Sequence, residues 1–315
     1  MKKIISMLVC IVLLATACLS FTSCLSCTPC DYLAYTKAVS LLEDGKYEEA
    51  KAIFEELGDY KDSKEYLSKF HYTPISMNYK FTDKEGVYEY VLGENNLLEK
   101  AITHRPGMDY VSTFTYDEKG NVIQQAVTAT TMEEAYYNYV YNVDGQLIKG
   151  IYTDTSGFLG MYDFSYDEAG RMIREAYSNA NDVLYSCEYT YNEKGQVVLK
   201  TCVEYGEFEY TYDLIYDENG NLIREIYTED DGSQEFCDHT YDANGNQIKK
   251  VFYDDEGIMG TYDYTYDAHG NAIKIVRTDD EGVQESVETQ YALVYIPFEI
   301  PAGTEYILDG YFDVI

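Results

Sequence analysis

The side chains in this chain that could do chemistry are a short set. Cys24, Cys27 and Cys30 form a C-x-x-C-x-x-C run, histidines stand at 71, 104, 239 and 269, and acids gather as Glu229-Asp230-Asp231, Asp254-Asp255-Glu256 and Asp279-Asp280-Glu281. Thiols at that spacing suit zinc, but zinc needs a fourth ligand and no His or Cys follows Cys30 before His71, so a Cys-rich tether is expected instead. Carboxylates on neighbouring loops can hold a calcium ion weakly. None of these loops has the alternating Asp spacing of a calcium loop, however, and exposed turns use the same residues for backbone reasons. His239 falls in an aromatic column and His269 in a turn, neither as a base with an orienting partner. G-x-S-x-G, H-E-x-x-H and phosphate-loop patterns are absent from the sequence. The expectation is a protein that is not an enzyme, with no catalytic, cofactor-binding or metal residues; a hydrolase is kept as a third reading.

Composition narrows the partners. Lys and Arg number 23 against 56 Asp and Glu, a net charge of −33, which repels a phosphate backbone and excludes nucleic acid. With 36 Tyr, 12 Phe and no Trp, the apolar 46% is too rich for a disordered acidic tail and points to strands. Tyr faces in columns can hold sugar rings, or can serve as cross-strand ladders with no ligand.

The elements that would carry these residues divide the chain into five segments. Residues 1–30 read as an export signal and tether: Lys2 and Lys3 precede an apolar run from Ile4 to Leu19. Ala15-Thr16-Ala17-Cys18 resembles the lipobox of bacterial lipoproteins, which marks Cys18 as the lipidated residue, with Cys24 as the alternative and an uncleaved membrane helix as the competing reading. Residues 31–70 show helical spacing at Tyr35, Ala38, Val39 and Leu42, then at Tyr47, Ala50, Ile53, Phe54 and Leu57, with Gly45 and Gly58 as C-terminal stops. This stretch resembles one tetratricopeptide-type helical hairpin. A single such unit leaves a face unburied and is expected to pack on a neighbour or a partner.

From residue 108 to 291 one unit repeats. Tyr116, Tyr141, Tyr166, Tyr191, Tyr216, Tyr241 and Tyr266 are spaced by 25 residues, each followed by Asp or Asn and, four residues on, by Gly120, Gly145, Gly170, Gly195, Gly220, Gly245 or Gly270. Three further on stands Ile or Val, as at Ile123 and Val198. Asp bonding to nearby amides and Gly taking a positive φ make this a hairpin signal. Residues 71–107 read as a degenerate capping repeat and 292–315 as a C-terminal cap.

The YDEKGN, YDEAGR, YDENGN, YDANGN and YDAHGN cores resemble the Tyr-Asp (RHS or YD) repeats of bacterial surface and toxin-encapsulating proteins. That resemblance implies a string of β-hairpins; the closed cocoon of those families is not carried over, since only 24 residues follow Tyr291. The predicted fold is mainly β: antiparallel hairpins of 25-residue period, about 14 strands or more, as a curled or spiral meander, with a small N-terminal helical segment. Cys187, Cys202 and Cys237 are expected to be free thiols. Cys187 and Cys237 lie about 19 Å apart at ~4.8 Å per strand. With Tyr191 opposite Gln196, Cys187 faces Lys200 and sits diagonal to Cys202. The functional expectation is an exported, membrane-anchored protein on the extracytoplasmic face of a bacterial cell. It would bind glycan or a surface protein through a repeated aromatic and acidic face, with weak calcium at acidic turns; a passive spacer or shell is the alternative.

Overall fold

The computed structural model describes residues 28–81, 85–94, 96–129 and 132–296. The chain divides into two compact units, Met1–Phe70 and His71–Ile315.

The first unit holds helices α1 (Thr28–Glu43), α2 (Tyr47–Leu57) and α3 (Ser63–Leu67). Gly45 turns the chain at φ 71°, and the amide of Lys46 closes back on the Leu41 carbonyl at 2.8 Å. Ala38, Ala50 and Phe54 are fully buried: two small side chains let the helices approach, and the Phe54 ring stacks on Tyr66 at 4.6 Å. Lys61 Nζ sits over the Tyr35 ring at 4.3 Å.

The second unit is an 18-stranded antiparallel sheet. Three strands precede the repeats: β1 (Phe70–Lys80), β2 (Glu85–Leu92) and β3 (Leu98–Arg105). Each repeat then adds a hairpin: β4 (Met108–Tyr116) with β5 (Val122–Ala129), β6 (Met132–Tyr141) with β7 (Leu147–Asp154), and β8 (Leu159–Tyr166) with β9 (Met172–Asn179). The series continues with β10 (Val183–Tyr191) and β11 (Val197–Glu204), β12 (Phe208–Tyr216) and β13 (Leu222–Thr228), then β14 (Gln234–Tyr241) and β15 (Gln247–Tyr253). It ends with β16 (Ile258–Tyr266), β17 (Ala272–Asp279) and β18 (Gln284–Tyr295). From β2 onward each strand pairs with the next, and β1 pairs with both β2 and β18.

That last pairing corrects the expectation of a curled or spiral meander: the sheet is a closed barrel. The physical reason lies outside the repeats. A linear array ends in two unpaired edges, here β2 and β18, and β1 satisfies both. The seam is apolar, with Met77 and Tyr79 from β1, Tyr88 from β2 and Val287 from β18 in one buried cluster. At the other end of the seam Leu97 packs with Val294 and Ile296, and Asn96 Nδ2 donates to the Tyr295 carbonyl at 3.0 Å. Tyr79 stands opposite Gly86, where a Cβ would come within 2.4 Å of the Tyr79 hydroxyl and of the His104 carbonyl.

Every repeat closes the same way. Asp117 accepts from the amides of Lys119 and Asn121, both at 2.9 Å, and from Asn121 Nδ2 at 2.8 Å, while the Gly120 amide donates to the Asp117 carbonyl at φ 86°. Where Asn142 or Asn192 replaces the Asp, the partner becomes Gln146 or Gln196 and the donor and acceptor exchange ends. These glutamines then donate onward to the Gly170 and Gly220 carbonyls of the following turn. After the turn the register slips by one residue between Thr115 and Tyr116, and at each equivalent position through Tyr266. The residue left unpaired by the bulge is the Ile or Val, as at Ile123 between the Tyr116–Val122 and Thr115–Gln124 pairs.

This bulge overturns the free-thiol expectation for two of three cysteines. Tyr191 pairs with Val197 rather than Gln196, and Thr190 with Leu199, which shifts the register by two and sets Cys187 opposite Cys202. Their Cα atoms are 4.1 Å apart and they form a disulfide; Cys237 is free and buried.

Candidate functional site

Alternation along the strands gives the sheet two faces of different character. Ser112, Phe114, Gln125, Ala135, Cys187, Cys202, Cys237 and His239 are all buried, and all share the face of the Tyr116 column. In a closed single-layered sheet the crowded face is the concave one, so these side chains line the interior. The opposite face carries ion pairs between residues 14 apart on adjoining hairpins: Lys149 with Asp163 at 2.9 Å, Arg224 with Asp238 at 2.8 Å, and Lys274 with Glu288 at 2.7 Å. Exposed pairs add little stability, but their recurrence marks register. The interior face is charged too, with Lys200 against Glu175 at 3.4 Å and Arg277 against Glu285 at 2.9 Å. Among the described residues, neither face forms the apolar band that a lipid-facing barrel wall needs.

The repeat-defining tyrosines are spent on the fold. Each hydroxyl donates to a carbonyl 19 residues earlier, on the preceding hairpin: Tyr141 to Val122, Tyr166 to Leu147, Tyr216 to Val197, Tyr241 to Leu222 and Tyr266 to Gln247, at 2.7 to 2.9 Å. Tyr191 reaches Met172 in the same way, and Tyr116, the first of the series, reaches Leu98, 18 residues earlier. Tyr216→Phe should therefore lower stability by about 0.5–1.5 kcal/mol, measured by denaturant midpoint, because the Val197 carbonyl loses its partner; an unchanged midpoint would show the bond to be worthless. Gly120, Gly145, Gly170, Gly195, Gly220, Gly245 and Gly270 all sit in the turns at φ between 81° and 93°.

One rim of the barrel gathers aromatic rings and acid. Tyr210, Tyr212 and Tyr227 stand with centroids 5.1 to 6.0 Å apart, and with Glu204, Glu209, Glu229 and Asp230 they line a cleft of about 280 Å³. Burial pushes the hydroxyls of all three tyrosines up, so they remain neutral donors at physiological pH. Glu229, Asp230 and Asp231 bring carboxylates together in the adjoining loop, all exposed, and Asp231 accepts from the Ser233 amide as turn acids do.

A second group was not legible as a site: Glu225, Cys237 and His239. Glu225 on β13 pairs directly with Cys237 on β14, and His239 lies two residues on along the same face. The His239 side chain is 2% exposed; Nδ1 is 2.9 Å from Gln247 Oε1 and Nε2 is 2.8 Å from Glu225 Oε1. Burial works against the charge on His239, but Cys237, Glu225 and Gln247 outweigh it and hold the imidazole up at about 10. Its contribution to folding is therefore full below pH 6.5 and is lost as pH rises toward 10. Denaturant midpoints should fall across that window, ahead of the tyrosines. The slope should vanish in His239→Gln; a slope that persists there belongs to another group.

The lipidation candidate Cys18, its alternative Cys24, and the tether lie outside the described residues.

No protein family model matches this chain and no curated protein matches it, so the Tyr-Asp and tetratricopeptide resemblances stand on their motifs alone. Among solved structures, similarity is found to a porin-like protein from Bacteroides uniformis, at 9% identity and a TM-score of 0.43 over 70% of this chain and 98% of that one. A porin-like protein from Bacteroides vulgatus gives 8% identity and 0.36 over 70% and 99%. A putative outer membrane lipoprotein-sorting protein domain from Vibrio parahaemolyticus gives 12% and 0.20 over 74% and 90%. At these scores the likeness stops short of a common fold, and the closed barrel rests on its own strand pairing.

Proposed function

We propose that this chain is an exported, surface-held barrel that binds carbohydrate at the Tyr210–Tyr212–Tyr227 rim and performs no chemistry. The observation that carries this reading is the meeting of three rings and four carboxylates in one cleft. Aromatic faces stack on the C–H faces of a sugar, and carboxylates accept from its hydroxyls, which together fix orientation. The export signal and lipobox-like Ala15-Thr16-Ala17-Cys18 support a tethered extracytoplasmic address. Charges on both sheet faces favour a barrel that stands in water beside the membrane rather than through it. Binding is assigned to the rim because the Tyr116 column already bonds to backbone.

That same internal use of the column favours a second reading, a passive spacer with no ligand. Titration of the folded chain with soluble polysaccharides separates the two. Saturable binding that falls at least tenfold in Tyr212→Ala and Tyr227→Ala, at unchanged melting temperature, supports the rim; binding indifferent to both changes refutes it. No saturation at millimolar sugar would leave the spacer.

A further inference from the structure

The repeats serve as one another's controls, and the sixth departs from them at three columns that meet in space. The column of Cys237 otherwise holds Ser112, Tyr137, Tyr162, Cys187, Tyr212 and Tyr262, and Cys187 is accounted for by its disulfide. The column of His239 otherwise holds Phe114, Tyr139, Phe164, Tyr189, Leu214 and Tyr264. The column of Gln247 is apolar elsewhere: Val122, Leu147, Met172, Val197, Leu222 and Ala272. Only here do a thiol, an imidazole and a side-chain amide replace apolar or aromatic residues together.

Their arrangement is that of a ligand set with its support. Gln247 Oε1 accepts from His239 Nδ1–H at 2.9 Å, so when the imidazolium gives up one proton to a metal ion the lone pair is exposed on Nε2. That Nε2 is buried and makes no aligned hydrogen bond, although Glu225 Oε1 lies 2.8 Å away; the N–H direction misses the carboxylate. One donor atom each from Glu225, Cys237 and His239 lies within 4.8 Å of the others. Donors around a tetrahedral zinc ion at bond lengths of about 2.0–2.3 Å stand about 3.3–3.8 Å apart, so shifts of about 1 Å or less, opening the 2.8 Å Nε2–Oε1 pair and drawing in the wider ones, close the set. Lys250, opposite His239, opposes a cation, but thiolate and carboxylate bring two negative charges against its one.

We propose that Glu225, Cys237 and His239 bind one divalent transition-metal ion of the zinc type inside the barrel, through a carboxylate oxygen, Sγ and Nε2, with water as the fourth ligand. On binding, the thiol releases its proton, the imidazole is neutral at Nε2, and both protons pass to solvent. Sulfur and imidazole select this class over calcium, which takes oxygen alone.

Cobalt(II) tests it in the full chain with Cys10, Cys18, Cys24, Cys27 and Cys30 changed to Ser and the Cys187–Cys202 disulfide kept oxidised. Cys237 is then the single thiol. The expected result is one equivalent of cobalt with thiolate-to-metal charge-transfer absorption. Zinc should displace it, raise the melting temperature and protect Cys237 from alkylation under partial denaturation. Cys237→Ser should abolish the absorption, and Glu225→Gln, which preserves shape, should weaken binding at least tenfold. Should Cys237→Ser fail to fold, the parent spectrum and Glu225→Gln decide. Absence of the charge-transfer band in folded protein overturns the proposal, as does cobalt binding unchanged in Cys237→Ser or Glu225→Gln, which would place the ion on acidic turns.

Discussion

Tyr79→Ala will open the barrel. Tyr79 is 3% exposed and packs against Tyr88 at 5.3 Å and Phe81 at 5.2 Å, in the cluster that joins β1, β2 and β18. Truncating an aromatic side chain this buried costs about 3–5 kcal/mol, and no repeat can take up the loss because the seam occurs once. Opening β1 bares the edges of β2 and β18, and bare edges pair with other chains. The denaturant midpoint should therefore drop by that amount, and size-exclusion profiles should turn concentration-dependent while wild type stays unchanged. A variant that loses under about 1 kcal/mol and shows no change in association would mean that the seam is not what holds the ends together.

The second large effect concerns the covalent link across one hairpin. Cys187 and Cys202 are 15 residues apart, and a loop of that length is worth about 3 kcal/mol in the chain-entropy account of disulfides. Changing both to Ala should lower stability by roughly that amount, and more if the fully buried pair leaves a void. Peptide mapping of unreduced protein should find Cys187 linked to Cys202, and Cys237 alkylated only after unfolding. Recovery of Cys187 and Cys202 as separate thiols would return the molecule to the diagonal register expected from the sequence.

That register shows where sequence reading stops. A 25-residue period with Tyr, Asp and Gly at constant offsets declares two strands per unit and a turn between them, because each of those residues has a local backbone reason to be there. The bulge has no such signature. Ile123 and its equivalents look like ordinary strand residues, and only the five-residue loop closed by Asp117 onto Asn121 leaves them extra. One unnoticed residue in the loop and one in the bulge moved Cys187 from facing Lys200 to facing Cys202.

Closure was hidden for a different reason. β1 carries no repeat mark, and its two partners are separated in sequence by almost the whole array. The helical hairpin, by contrast, showed in its spacing, since Ala38, Ala50 and Phe54 are buried and Phe54 packs on Tyr35 and Tyr66, all within one short stretch of chain. Of the two candidate sites, Tyr210, Tyr212 and Tyr227 were visible as aromatics but not as a cluster, for their meeting depends on which strands adjoin. The Glu225–Cys237–His239 group could have been found by aligning the repeats against one another, which marks residues 237, 239 and 247 as the places where one copy breaks with the rest.

The tyrosine bond that reaches back 19 residues has a consequence for how such a molecule changes size. Each copy is fastened to its predecessor by the same tyrosine-to-carbonyl contact, while the ends are joined by Met77, Tyr79 and Tyr88, which precede the first copy, closing on Val287. Copy number and ring closure are thus separate traits. Losing or duplicating one 25-residue unit alters the circumference by two strands and leaves the clasp and all remaining junctions as they were. Unequal recombination between near-identical copies would then act as a gauge for the width of the enclosed space.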